Sequence, residues 1–157
     1  MNKSPNFYQV IIIGGGLAGL VSAIHLRKYH IEVLLIEKNS YPKHKVCGEY
    51  ISNEVLPYLK SLGFNPFDFD AKAIQNFELT TTYNKKITAK LPLGGFGISR
   101  YVLDFQLYKL ALKNGVKFIQ DTVTDINFSD NQFNTTTKTN GDFISEITIG
   151  AFGKRAN

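Results

Sequence analysis

The sequence predicts an α/β domain with a central parallel sheet and an added antiparallel β-meander, and three observations predict it. Residues 10–13 form a continuous β-branched run, Val-Ile-Ile-Ile, as a strand buried on both faces of a parallel sheet requires. Residues 14–19 then read Gly-Gly-Gly-Leu-Ala-Gly, and a helical pattern follows at once. A second apolar run, residues 33–36, closes on an acid, Glu37. Strand, glycine turn, helix, strand and acid thus follow one another within about 30 residues, which is the order of a dinucleotide-binding βαβ unit.

Each part of that unit has a separate physical job. The glycines fall as Gly14-x-Gly16-x-x-Gly19. Gly14 permits the tight turn off the strand, Gly16 lets backbone approach a diphosphate, and Gly19 lets the helix pack closely on the strand. The helix is predicted over residues 17–29, with Leu20, Ala23 and Ile24 as its packed stripe. The backbone N–H groups of Leu17, Ala18 and Gly19 then stand at its positive end, where an anion is favoured. A carboxylate at Glu37 can accept hydrogen bonds from adenosine ribose hydroxyls, and it repels a 2′-phosphate. Lys38 offsets that repulsion in part. A glycine-rich turn in an ordinary α/β domain would share the glycines, but it would not need the strand, helix and acid in this order. Between helix and second strand, His30 stands where a left-handed residue is common.

After Glu37 the pattern changes. Residues 39–48 read as a polar loop. Ser52 can cap a short helix reaching toward Leu62, with Pro57 in its first turn and Gly63 just past its end. Residues 77–83 and 86–91 read as two strands joined at Asn84-Lys85, and residues 92–97 as a glycine-rich loop. Ser99 is the expected N-cap of a helix over residues 100–114, with Leu103, Leu107, Leu110 and Ala111 on its apolar face and Gly115 as its stop. Residues 116–120 are expected to return to the parallel sheet. Three further strands are predicted over residues 122–128, 132–139 and 143–149, with turns at Asp130-Asn131 and Asn140-Gly141. The sequence ends just after the last of these, so an incomplete domain is expected.

Composition narrows the function classes. The chain has 157 residues, 43% of them hydrophobic, and a formal charge of +5. Lysines cluster at Lys43-Lys45 and at Lys85-Lys86, yet no nucleic-acid motif is visible and a solvated basic face accounts for them. Cys47 is the single cysteine, so no disulfide forms within the chain, which fits a reducing cytoplasm. No apolar run is long enough to span a bilayer, so stable membrane insertion is not expected. Lys45 and His44 could activate the Cys47 thiol, but it has no partner cysteine. Three scattered histidines show no metal-ligand spacing.

Taken together, the glycine motif with Glu37, the segment Lys45-Val46-Cys47-Gly48-Glu49-Tyr50-Ile51-Ser52, and Ser99-Arg100 opening a helix with Asp104 and Leu107 carry a family resemblance. Over essentially its whole length the chain resembles the N-terminal part of an FAD-dependent oxidoreductase of the geranylgeranyl reductase type, a group that shares its fold with aromatic-hydroxylase flavoproteins. The resemblance implies a Rossmann-like FAD/NAD(P)-binding domain over residues 1–157. It implies that Gly14, Gly16, Leu17, Ala18, Gly19, Glu37 and Lys38 hold the ADP half of FAD. It also implies that Cys47 and Gly48 lie near the flavin or substrate, and that Arg100 approaches the ribose and diphosphate, for which a fixed guanidinium is suited.

The implied activity is reduction of carbon–carbon double bonds in a small apolar, isoprenoid-like substrate, with NAD(P)H or another electron donor. A flavin-dependent monooxygenase, an NAD-binding module and a non-catalytic ADP-binding fragment are the alternatives. The sequence departs from the hydroxylase pattern in two ways. Phe152 stands in Ala151-Phe152-Gly153 where those proteins carry an acid. The later flavin-binding segment and the substrate domain are not in this sequence.

Overall fold

The computed structural model describes residues 6–153. The chain divides into two compact units, one built from the residues up to Lys43 together with those from Asp104 onward, the other from His44–Leu103.

The first unit holds a six-stranded sheet. Strand β1 (Phe7–Ile13) pairs in parallel with β2 (Val33–Glu37), and the helix α1 (Leu17–Lys28) joins them. Strand β6 (Lys117–Gln120) extends the parallel sheet beyond β2, with Leu34 opposite Lys117 and Glu37 opposite Gln120. On the other side β1 pairs in parallel with β9 (Gly141–Gly150), from Phe7 opposite Ile144 to Ile13 opposite Gly150. Strands β7 (Val123–Ser129) and β8 (Gln132–Thr137) complete an antiparallel meander on β9, giving the order β6-β2-β1-β9-β8-β7. The long strand β9 belongs to both parts of the sheet.

The expected buried runs are fully buried: Val10 to Ile13 and Val33 to Ile36. Alternate residues of a strand face opposite sides. Ile11, Ile13, Leu34 and Ile36 cluster with Phe143, and Tyr8, Ile119 and Val123 pack against them. The other face is covered by α1, whose Leu20, Ala23 and Ile24 are completely buried. His30 does adopt the left-handed conformation, at φ 60°. The Arg27 guanidinium fastens that end of the helix by donating to the Asn114 carbonyl (3.1 Å) and the Ile31 carbonyl (2.9 Å).

The second unit is a three-stranded antiparallel sheet in the order β3 (Tyr50–Ser52), β5 (Lys86–Gly97), β4 (Lys72–Thr80). A short helix, α2 (Leu56–Ser61), follows a single turn whose N-cap is Ser52, and Pro57 sits in its first turn as expected. Two strand expectations need correction. Residues 92–97 are not a loop but the end of β5, because Gly95, Phe96 and Gly97 pair with β3 on one side and β4 on the other. Strand β3 lies in a segment too short to signal itself. Leu59, Leu62, Phe64, Phe96, Ile98 and Leu103 are among the buried side chains of this unit. Helix α3 (Arg100–Lys113) begins with Ser99, whose hydroxyl accepts from the Val102 N–H (3.2 Å), and stops at Gly115 (φ 82°).

Candidate cofactor site

The glycine turn links β1 to α1 at the carboxyl end of the parallel strands. Gly16 is the N-cap of α1 in extended backbone, and its carbonyl accepts from the Leu20 N–H (2.9 Å). No side chain caps this helix and no acid lies in its first turn. The N-terminal N–H groups of this 12-residue helix, with Ala18 exposed, thus have no side-chain cap. Two glycines of the turn are held against backbone. Gly14 has φ 107°, and a Cβ there would come within 2.5 Å of the Ala151 carbonyl oxygen. A Cβ on Gly19 would overlap the Gly14 carbonyl, so α1 reaches the turn only with hydrogen at that position.

Glu37 closes β2 and folds back on this turn. Its Oε2 accepts from the Gly15 N–H (2.7 Å), and its Oε1 accepts from both the Asn39 N–H and the Asn39 side-chain amide (2.9 Å each). Lys43 Nζ lies 2.6 Å from the same Oε1, in a pair only 14% and 8% exposed. Burial works to raise the Glu37 pKa, but the Lys43 ammonium and the Asn39 and Gly15 amides outweigh it and hold the carboxyl below its ordinary value. The Tyr41 hydroxyl donates to the Gly15 carbonyl. The Tyr41 ring stacks on Tyr108 at 4.4 Å, and Tyr108 meets Phe118 edge-on at 4.9 Å, which fixes the segment after Glu37 against the sheet.

Beside Glu37 opens a cavity of about 670 Å³. Ile13, Gly14, Ile36, Glu37 and Lys38 line it together with residues 121–126 and Phe152. The wall from residue 122 onward is anchored by Asp121. That carboxylate accepts from Thr122 N–H (2.7 Å), Thr139 N–H (3.0 Å), the Thr139 hydroxyl (2.7 Å), Asn140 N–H (2.9 Å) and the Asn140 amide (2.7 Å). Burial alone would raise its pKa; these hydrogen bonds, those from Thr139 and Asn140 foremost, instead hold it well below the usual carboxylate range. Phe152 is 56% exposed and its ring lies against Gly150.

Gly14, Gly16, Leu17, Ala18, Gly19, Glu37 and Lys38 therefore come together at one end of the sheet. Cys47, Gly48 and Arg100 belong to the second unit. Cys47 is exposed, its sulfur 3.4 Å from the Glu49 N–H, and a Cβ on Gly48 would meet nothing within 4 Å. Arg100 is half-buried at the start of α3. The sequence reading missed Gly15, Asn39, Tyr41 and Lys43 as neighbours of Glu37, and Asp121 as the anchor of the cavity wall. Only the triple glycine hinted at the first of these. Among the described residues no three His, Cys, Asp or Glu side chains gather as a metal site, and no helix is long and apolar enough to cross a membrane.

A helix N-terminus with no side-chain cap, a glycine turn after the first parallel strand, and a cavity lined by Gly14 and Glu37 fit the ADP half of a flavin dinucleotide. The family described as FAD binding domain matches residues 7–132. The chain belongs to that family. FAD is its cofactor. An uncharacterized protein of Methanosarcina barkeri is 32% identical over 155 residues, covering 93% of this chain and 37% of that protein. The digeranylgeranylglycerophospholipid reductase of Methanococcus vannielii is 28% identical over 137 residues, covering 85% of this chain and 34% of that protein. The structure of a flavin-dependent brominase superposes with a TM-score of 0.79 at 22% identity, covering 94% of this chain and 38% of that one. At that identity the likeness is one of fold. The chain thus spans little more than a third of the length of these two relatives.

Proposed function

We propose that this chain binds the ADP half of FAD between the α1 N-terminus and Glu37, and that the whole protein is a flavin oxidoreductase that reduces carbon–carbon double bonds of an isoprenoid-like apolar substrate. The observation that carries the first part is the uncapped N-terminus of α1, which follows directly on Gly14 in the wall of a cavity that Glu37 also lines. In this reading the Leu17, Ala18 and Gly19 amides face the diphosphate, Gly14 and Gly16 keep the approach open, and Glu37 accepts from the ribose diol, with Lys38 beside it. The cavity wall from Thr122 to Ile126 and Phe152 lines the adenosine end. Bound FAD supplies hydride acceptance and delivery; the chain supplies position and a fixed field.

The sequence resemblance and the reductase of Methanococcus vannielii support double-bond reduction. The fold likeness to a brominase favours a second reading, oxygen-dependent flavin chemistry. For Cys47, Gly48 and Arg100, support comes from the resemblance alone, which assigns them to the flavin end and the diphosphate. Arg100→Ala is then expected to weaken FAD binding, and Cys47→Ser to alter the flavin spectrum.

The test has two stages. The 157-residue chain is incubated with FAD and freed of unbound cofactor; retained flavin absorbance near one per chain supports the site, and complete loss overturns it. A protein carrying the full length of its relatives is then supplied with NAD(P)H and an isoprenoid. A saturated product without oxygen uptake supports the reductase; oxygen uptake with a halogenated or hydroxylated product supports the second reading.

A further inference from the structure

Residues 14–16 set two peptide groups between glycines, Gly14–Gly15 and Gly15–Gly16. With no Cβ on either side, such a peptide can turn about its flanking bonds at little steric cost, exchanging the directions of its C=O and N–H. Beside an anion the direction matters, because the N–H attracts and the C=O repels. In a trans peptide the two groups point opposite ways, so holding one fixes the other.

Both peptides are held from outside the turn. Gly15 N–H donates to Glu37 Oε2 (2.7 Å), and the Gly14 carbonyl oxygen lies instead where a Cβ on Gly19 would overlap it. The Gly15 carbonyl accepts from the Tyr41 hydroxyl, so the Gly16 N–H points away from Tyr41. That hydroxyl stands where a Cβ on Gly15 would be, so the contact needs glycine there. The Tyr41 ring has little freedom of its own, stacked on Tyr108 at 4.4 Å and tilted against Phe118 at 5.9 Å. The turn reaches the surface at this peptide: Gly14 and Gly15 are buried, Gly16 and Leu17 half-buried, Ala18 exposed. Gly16 is also the N-cap of α1, so its N–H joins the first-turn amides that have no acceptor within the helix.

We propose that Tyr41 is a positioning residue for the diphosphate: its hydroxyl locks the Gly15–Gly16 peptide so that the Gly16 N–H joins those of Leu17, Ala18 and Gly19 in facing the anion. Tyr41 touches no ligand and acts through Gly15. The inference rests on the proposed placement of the diphosphate at the α1 N-terminus.

Tyr41→Phe keeps the ring and removes the lock, leaving the peptide free to turn its carbonyl toward the anion. Inorganic pyrophosphate and ADP should each bind about fivefold more weakly, as loss of about one hydrogen bond implies. Adenosine, which carries no phosphate, should bind as before. Calorimetric titration of the three ligands into the natural chain, Tyr41→Phe and Tyr41→Leu reads these affinities. In the isotope-labelled natural chain, pyrophosphate should move the Gly16 amide proton downfield in the NMR spectrum, and Tyr41→Phe should lose most of that movement. A tyrosine that only supports the fold would leave it unchanged.

Weaker pyrophosphate and ADP with unchanged adenosine in Tyr41→Phe, together with the lost Gly16 shift, support the lock. Unchanged affinities in Tyr41→Phe overturn it, and if Tyr41→Leu alone is weakened, the ring and not the hydroxyl matters. Equal losses for all three ligands also overturn it. A Gly16 amide that does not respond to pyrophosphate in the natural chain overturns it while leaving the nucleotide site standing, an answer that needs no variant to fold. Absence of ADP binding by the natural chain sinks the site and the lock together.

Discussion

Two carboxylates end neighbouring strands of the parallel sheet, and they are spent differently. Glu37 closes β2, and Asp121 follows β6; the Asp121 N–H donates to the Glu37 carbonyl at 3.0 Å. Both are buried, both are surrounded by donors, and both have lowered pKa values. Asp121 takes its bonds from neighbours in the turn at Thr139 and Asn140 and from Thr122, all neutral and mostly main chain. Glu37 takes one of its bonds from a lysine on a flexible stem, and both acids border the same cavity. The difference lies in the donors: those of Asp121 are neutral groups of its own turn and the 139–140 turn, whereas Glu37 is paired with a cation and leans on the glycine turn.

Several substitutions can break or sharpen that contrast. The largest effect is expected at the turn on which Glu37 leans. Gly14→Ala forces a side chain into φ 107° and onto the Ala151 carbonyl, and should cost about 2 kcal/mol or more of stability in urea unfolding. Next comes Asp121→Asn, which keeps the shape but turns an acceptor into a donor opposite donors. It should lower Tm clearly more than Glu37→Gln does, whereas Glu37→Gln should lower ADP affinity by about tenfold. Equal Tm losses, or equal losses of ADP affinity, would erase the distinction.

Acid should weaken the contribution of both. Both carboxyls have folded pKa values below their unfolded ones of about 4. The folded state therefore binds fewer protons, and the stability they contribute is complete above about pH 5 and is lost as pH falls toward the folded values. Urea unfolding from pH 7 to pH 3 should show the gap between natural chain and Asp121→Asn shrinking as pH drops. A gap that widens would contradict the assignment. The smallest effect is expected at the exposed pair Lys86–Glu78, 2.5 Å apart but about half exposed on each side: Glu78→Gln should change stability by no more than about 0.5 kcal/mol.

Much of the site could be read in the sequence because it depends on local order. Gly14, Gly19 and Glu37 declare themselves by spacing, since backbone conformation and strand length dictate where each must fall. His30 and Gly115 likewise mark left-handed helix ends. What could not be read depends on chain returning from a distance. Lys43 and Tyr41 lie in a segment with no periodicity, and only the folded path sets them against Glu37 and Gly15. Asp121 looks like any acid after a strand until the 139–140 turn closes on it. Residues 92–97 look like a loop because glycine is a poor strand former; pairing on both edges, with Phe96 fully buried, overrides that preference.

The most direct test is a titration of ADP into the natural chain and into Glu37→Gln, followed by calorimetry. Saturable binding at one site, about tenfold weaker in the variant, is the predicted result. Equal affinity in the two proteins would mean that the acid at the end of β2 does not hold the sugar, and the site built around it would be wrong.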